Sequence, residues 1–358
     1  MNDVFLNRKF IQLTAGALLA VVVLSGCTIR FGGRQPSTAG VYKSFDGSEN
    51  WVGKSLYLHS GGTGTIETVA VIDFVIDPQD PDAIYLTTEN HGLLYSYDAG
   101  ESWRHASGID SGRVDAVAID PRNKCIIYSS FANTIRKSVD CNRSFREVYI
   151  DTRAEQFITA VAVDRFNNLL VYAGNTGGDI LKSFDGGNNW QVITRTENQV
   201  TKILIDPEDT RIIYVATKGK GIQKTIDAGQ TWTDLSEGLR QYSAALEYKE
   251  LVFDPNQPNT LLYVSKYGLL KTDDGGATWL PITLITPPTS TDIYSVAINP
   301  INADEIYYAT ASTFYKTADG GGNWITRRLP SNALPTALYI DPRNPAVLFM
   351  GLTPISQR

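Results

Sequence analysis

Seven copies of one nine-residue pattern run through the 358-residue chain and constrain it more than any other feature. They are KSFDGSENW, YSYDAGESW, KSVDCNRSF, KSFDGGNNW, KTIDAGQTW, KTDDGGATW and KTADGGGNW. Each reads Ser or Thr, any residue, Asp, any residue, usually Gly, two residues, then Trp. The aspartates are Asp46, Asp98, Asp140, Asp185, Asp227, Asp274 and Asp319, spaced 42 to 52 residues apart. All six tryptophans of the chain, Trp51, Trp103, Trp190, Trp232, Trp279 and Trp324, close a copy, and Phe145 closes the seventh. Chance does not place tryptophans so.

A second series alternates with the first. It is an apolar run ending in Asp-Pro or a close variant, followed by another run carrying an aromatic, as in VAIDPRNKCIIY and ILIDPEDTRIIY. Its anchors are Asp77, Asp120, Asp164, Asp206, Asp254, Asn299 and Asp341. Each period thus holds four short β-rich runs separated by turn residues, which is the content of one propeller blade. The phase matters more than the count. The chain opens on a first-series copy with no second-series partner and closes on the reverse, so the two leftovers are complementary halves of one blade. Residues 41–58 are expected to supply its outer strands and 337–352 its inner ones. Pairing them removes the open sheet edges. The expected fold is all-β, a seven-bladed β-propeller of four-stranded antiparallel blades closed by a composite N-/C-terminal blade.

In the first series, Asp and Ser/Thr side chains can accept backbone N–H groups and hold a tight turn. Gly supplies φ > 0 there, and Trp packs a large apolar face between blades. Seven aspartates with one repeated turn task are structural residues. The pattern resembles the Asp-box (BNR) repeat, found in sialidases, sortilin-type receptors, xyloglucanases, and seven-bladed photosystem II assembly factors with their bacterial relatives. The resemblance covers about residues 41–352. In size, blade number and export it is nearest to the assembly-factor-like proteins, and it implies a non-enzymatic scaffold binding a membrane-protein partner. Copies one and three depart from the pattern, with Ser48 and Asn142 at the Gly position.

The N-terminus carries Arg8 and Lys9, then an apolar run from Phe10 to Leu24. Such a run is short for a membrane span and suits a signal-peptide core. It ends in Leu24-Ser25-Gly26-Cys27, which resembles the bacterial lipobox. That likeness implies a removed signal peptide over residues 1–26, a lipid on Cys27, a tether over 27–40 and a propeller domain over 41–358. Export, with anchoring to the cell membrane or the outer membrane, is expected. Thr28 after the cysteine lacks the Asp of the usual inner-membrane retention signal.

Sialidases imply an arginine cluster and an Arg-Ile-Pro-type motif, and this chain has no such motif. Xyloglucanases place two aspartates across a cleft between two propellers, and one propeller supplies half of it. Alignment on the second-series anchors sets Asp73, Lys202 and Glu250 at one register, four residues before the anchor, with Asp115 one residue earlier. These groups are expected to face the central channel as solvated or mutually paired polar residues. The connections between the fourth strand of one blade and the first of the next carry Arg104, His105, Arg153, Arg195, Arg240, Tyr242, Arg327 and Arg328. Together these form a candidate docking patch for an acidic partner.

His59, His91 and His105 are expected in different blades and without accompanying ligands, so no metal and no cofactor is expected. A net charge of −6 and a pI near 5.2 argue against nucleic acid as a partner. Folding the hairpin about residues 131–133 sets Ile126 opposite Ser138 and brings Cys125 and Cys141 to one end of a blade. A disulfide is expected there in an oxidising envelope. The leading reading is a single, monomeric propeller that binds an envelope or membrane protein, held to the bilayer through acylated Cys27. The alternative is a carbohydrate-binding or glycoside-hydrolysing propeller.

Overall fold

A computed structural model describes residues 38–355, and Cys27 with the expected signal peptide lies outside them. Seven four-stranded antiparallel sheets form the blades of a β-propeller. Blade 1 comprises Val71–Asp77, Asp80–Thr88, Leu93–Ser96 and Arg104–His105. Blades 2 to 6 follow over 117–150, 158–195, 200–234, 248–281 and 293–328. Blade 7 is the composite one. Leu334–Ile340 and Leu348–Thr353 form its inner half, Gly40–Ser44 and Val52–Gly53 its outer half. Tyr42 pairs with Met350 and Ser44 with Leu348, so the termini close the ring.

The second strand of each blade is sandwiched between neighbouring sheets and carries a continuous buried stretch, mostly apolar but with Ser129 and Ser130 in blade 2. Ile213–Thr217 (IYVAT) is buried along its whole length, as a strand covered on both faces must be. Contact between blades is close enough to exclude a side chain at the seam. A Cβ on Gly351 would lie 2.5 Å from Cγ1 of Val71 in the next blade. Trp103 of blade 1 is fully buried in a cluster with Val41, Val347 and Phe349 of blade 7. Its indole N–H donates to the carbonyl of Lys54 at 2.9 Å. The expected task of the box tryptophan, packing between blades, is seen here directly.

Three details differ from the expectation. Residues 56–59 do not extend blade 7. Leu56–His59 turns away, pairs with Gly62–Thr65, and lies parallel to the edge of blade 1 at Trp103. Leu58 N–H donates to Trp103 O, and Trp103 N–H to Leu56 O. The hairpin covers an edge strand only two residues long. A short helix, Ser236–Arg240, interrupts the connection from blade 4 to blade 5. Finally, the blade 2 hairpin has a two-residue turn at Ala132 and Asn133, with Ala132 at φ 52°. That tighter turn sets Ile127, not Ile126, opposite Ser138. The one-residue shift keeps Cys125 and Cys141 at the same end, where they are joined as a disulfide.

Candidate functional site

Each blade turns its first-to-second-strand connection and its Asp box toward one face of the ring. The second-to-third connections and the links between blades emerge on the other, here called the open face.

The Asp-box turns are built alike in all seven copies. In the first, Ser44 Oγ donates to Asp46 Oδ1 at 2.9 Å, Ser48 N–H donates to Ser44 Oγ, and Asn50 N–H donates to Asp46 Oδ1 at 2.9 Å. Asn50 Nδ2 then donates to Oδ2 at 2.7 Å. The degenerate third copy repeats the arrangement with Ser138, Asp140 and Ser144. These donors hold Asp46, Asp185, Asp274 and Asp319 down at about 2. Ser48 and Asn142 occupy the left-handed Gly position, at φ 80° and 68°. The second-series anchors are also turn residues, each buried and accepting the N–H two residues on, as Asp77 does from Gln79 at 2.8 Å. Both series of acids are therefore consumed by the fold.

The channel is a cavity of about 520 Å³ along the ring axis, and Asp73, Asp115, Lys202 and Glu250 line it. Their aim comes from a feature that periodicity does not reveal. The innermost strands of blades 1 and 3 to 7 each carry a register shift that adds one residue, at Ile72, Thr159, Thr201, Lys249, Tyr294 and Thr336. A bulge of this kind bends the strand and turns its side chains, and all six extra residues line the channel.

Lys202 Nζ donates to Asp73 Oδ2 at 2.9 Å across the axis, joining blade 4 to blade 1. Each keeps about a third of its side chain open to the channel, 35% and 34%, although both lie deep inside the ring. The Asp73 charge holds the Lys202 ammonium above its usual range. Glu250 accepts Val296 N–H of the next blade at 3.1 Å. Burial, then the nearby Asp73 charge, pushes its carboxyl up to about 8, against the pull of Lys202 and Val296. Asp115 is engaged by Arg113 at 2.8 Å. The channel thus holds an ion pair and a neutral acid, and its carboxylates are paired or protonated rather than poised together.

The eight residues of the expected docking patch do not behave as one group. Arg153 reaches the buried Asp151 at 2.5 Å and also Asp179, and Arg195 Nε donates to Asp179 at 2.8 Å. Arg153 ties the link after blade 2 to blade 3, while Arg195 pairs within blade 3. His105 is half-buried, with Tyr57 OH against Nδ1 at 2.6 Å and the His91 carbonyl against Nε2 at 2.9 Å. It anchors the added hairpin, and burial lowers its pKa. Tyr242 donates to Trp279 O at 2.6 Å and packs on Tyr267. Arg327 pairs with Glu49 in the neighbouring Asp box. Arg104, Arg240 and Arg328 are exposed and make no ion pair among the described residues.

One recurring group went unread in the sequence. Lysine precedes the box Ser/Thr in six of the seven copies. Four of these lysines cross to the next blade and donate to its box: Lys43 to Ala99 O, Lys137 to Gly186 O, Lys182 to Ala228 O and Lys224 to Gly275 O, at 2.7 to 2.9 Å. Burial lowers the pKa of Lys137, Lys182 and Lys224. The repeated KS/KT dipeptide was the available signal. Among the described residues no group of His, Cys, Asp and Glu has the arrangement of a metal site.

Comparison with known proteins adds likeness of fold. A family model described as sortilin, neurotensin receptor 3, matches residues 178–282, from the third strand of blade 3 to the end of blade 5. No curated protein matches the chain. A GH74 enzyme from Niastella koreensis superposes with a TM-score of 0.63 at 19% identity, over 79% of this chain and 51% of that one. YCF48 bound to a D1 peptide superposes at 0.61 and 15% identity, over 81% of this chain and 94% of that one. YCF48 from Cyanidioschyzon merolae gives 0.60 and 14%, over 80% and 96%. The chain spans about half the length of the GH74 enzyme and nearly all of each YCF48 chain. The fold is a propeller of the kind used by both an enzyme family and a peptide-bound protein.

Proposed function

We propose that the chain is a non-enzymatic, lipid-anchored scaffold of the cell envelope that binds a protein partner on the open face of its propeller. The observation that carries the reading is how the carboxylates are spent. Fourteen repeat anchors hold turns, thirteen of them Asp and one Asn. In the channel Asp73 is committed to Lys202, while Glu250 is largely protonated at neutral pH. Glycoside hydrolysis needs an acid and a base, or an acid and a nucleophile, at a set separation around a sugar; Glu250 could serve as the acid, but Asp73 is tied to Lys202 and Asp115 to Arg113, so the channel lining offers no unpaired carboxylate as its partner. The likeness to YCF48, one example of which is bound to a peptide, extends over nearly that whole chain and supports the same reading by analogy.

The topology adds a direction. Strand Gly40–Ser44 runs from the open face toward its Asp box, so the polypeptide enters the ring at the open face. There Thr38 meets Tyr42 OH at 2.5 Å and Ala39 N–H donates to Glu67 O at 2.7 Å. Eleven residues lead from Cys27 to Thr38, at most about 40 Å of chain. A lipid on Cys27 would keep this face near the bilayer, where a membrane protein is met. Arg240 and Arg328 are exposed cations toward this face with no ion pair among the described residues, whereas Arg104, opposite Tyr95 and next to its Asp box, lies toward the other face.

The test is a pull-down of the lipidated protein from its native membrane, wild type against the double variant Arg240→Glu, Arg328→Glu. Loss of the co-purifying protein is expected, with the far-ultraviolet spectrum unchanged. Undiminished capture by the double variant contradicts the assignment.

A further inference from the structure

The geometry points to a second binding site, on the outer wall between blades 3 and 4, that takes a uronic acid residue of an acidic polysaccharide. It shares Arg240 with the protein-docking face, but it is tested by direct titration with sugars and so can hold or fail without that reading.

The site is a cavity of about 350 Å³ whose walls include Trp232, Arg195, Lys220, Arg240 and Gln223. Its size is that of a small-ligand pocket. Trp232 behaves differently from the tryptophans that the fold consumes completely. Trp103 and Trp279 are 0% and 1% exposed, whereas Trp232 is half-buried. Its indole N–H is satisfied by Gly229 O at 3.2 Å, and its ring forms part of the cavity wall. A flat aromatic face whose polar atom is already bonded suits the C–H face of a pyranose ring.

The charges around that face are lightly held. Arg195 is engaged through Nε by Asp179. Lys220 pairs with Glu197 at 2.5 Å, but the two side chains are 47% and 80% exposed, so the pair is worth little and opens readily. Arg240 makes no ion pair among the described residues. Of the acids at the rim, Asp234 is used in part to accept Ser236 N–H at 2.8 Å. With Asp179 on Arg195 and Asp234 at the rim, the cations open to a ligand carboxylate are the unpaired Arg240 and the loosely held Lys220, beside an aromatic wall. The amide of Gln223 and the Asp234 carboxylate offer a donor and acceptors for hydroxyl groups. A sugar carboxylate would replace Glu197 as the partner of Lys220 and engage Arg240. A neutral sugar would gain the stacking contact alone.

The test titrates the mature protein with a trigalacturonate, a neutral trisaccharide and a glutamate-rich peptide at low salt, following tryptophan fluorescence and heat. Saturable binding of trigalacturonate is expected, about tenfold or more tighter than the neutral sugar. Lys220→Ala with Arg240→Ala should weaken it about tenfold or more, and Glu197→Gln should strengthen it, because Lys220 then loses its competing partner. These side chains are exposed, so circular dichroism should stay unchanged. No saturable binding, equal affinity for the neutral sugar or the peptide, or an unaffected double variant overturns the proposal.

Discussion

Ser48 and Asn142 look equivalent as departures from the Asp-box pattern, but they are physically different. Both adopt the left-handed conformation that the turn imposes, which costs an L-residue about 1–2 kcal/mol. Ser48 offers its backbone N–H to Ser44 Oγ, which Gly would do equally well. Asn142 uses its side chain, donating to Tyr85 OH at 3.1 Å and Tyr97 OH at 2.8 Å. Ser48→Gly should therefore raise stability by about 0.5–1 kcal/mol, and Asn142→Gly should lower it by about 1–2 kcal/mol through the lost buried bonds. Denaturant unfolding of the two variants checks this pair of opposite signs. The sequence marks both positions as irregular; only the tyrosines across the seam separate a strained residue from a useful one.

Glu250 makes the clearest pH statement at this scale. Burial pushes its carboxyl up to about 8 in the folded protein, from an ordinary value of 4.5. Between those values the native state keeps a proton that the unfolded chain has released, so raising the pH favours unfolding. The box aspartates act in the opposite sense. With folded values near 2 for Asp46, Asp185, Asp274 and Asp319, the stability they contribute is present above about 4 and is lost as pH falls toward 2. Glu250→Gln keeps an acceptor for Val296 N–H and cannot ionise. Its melting temperature should gain on wild type steadily from pH 5 to pH 8 and show no such trend below pH 4. A constant offset across that range would mean that Glu250 does not carry the raised value.

At the scale of elements, much of each blade was legible because two turn motifs alternate with it. Strand existence and order follow from that alternation. What escaped reading was how one element meets the next. The 52-residue gap from Asp46 to Asp98 and the 47-residue gap from Asp227 to Asp274 are the longest in the first series. They hold the Leu56–Thr65 hairpin and the Ser236–Arg240 helix. Length signalled an insertion there, while its conformation depended on Trp103 and Trp279 in the neighbouring sheets. Bulges on the inner strands carry no residue signature at all, since Ile, Thr, Lys and Tyr fill the extra position alike.

The lysine links between blades are the most direct test of how elements are joined. Lys182 is 6% exposed, and its ammonium donates to Ala228 O of the next Asp box at 2.7 Å. Lys182→Met should cost about 1.5–3 kcal/mol, the worth of a hydrogen bond from a charged donor. Lys271 holds the same position in its own repeat, lies in an open groove between blades 5 and 6, and makes no such bond among the described contacts. Lys271→Met should cost less than about 0.5 kcal/mol. Equal losses in chemical denaturation would remove the distinction between a latch and a repeated surface charge.

For the whole molecule, the repeats account for the ring and use up nearly all the residues that look chemically active. Composition and charge suggested a docking patch of eight residues. The structure divides it into an inter-blade tie (Arg153), a pair within blade 3 (Arg195), half-buried anchors (His105, Tyr242), a link to the next box (Arg327) and three arginines without an ion pair among the described residues. Sequence position placed most of these residues near the links between blades, but the partner of each side chain depends on a blade some forty residues away. Partner binding on the open face can be tested by photo-crosslinking in native membranes, with a photoreactive residue at Lys218 or Ser312 on the open face, or at Phe184 or Ile226 on the Asp-box face; all four positions are exposed. A discrete crosslinked partner is expected from Lys218 and Ser312 and none from Phe184 and Ile226, and capture from the Asp-box face alone would overturn the proposal.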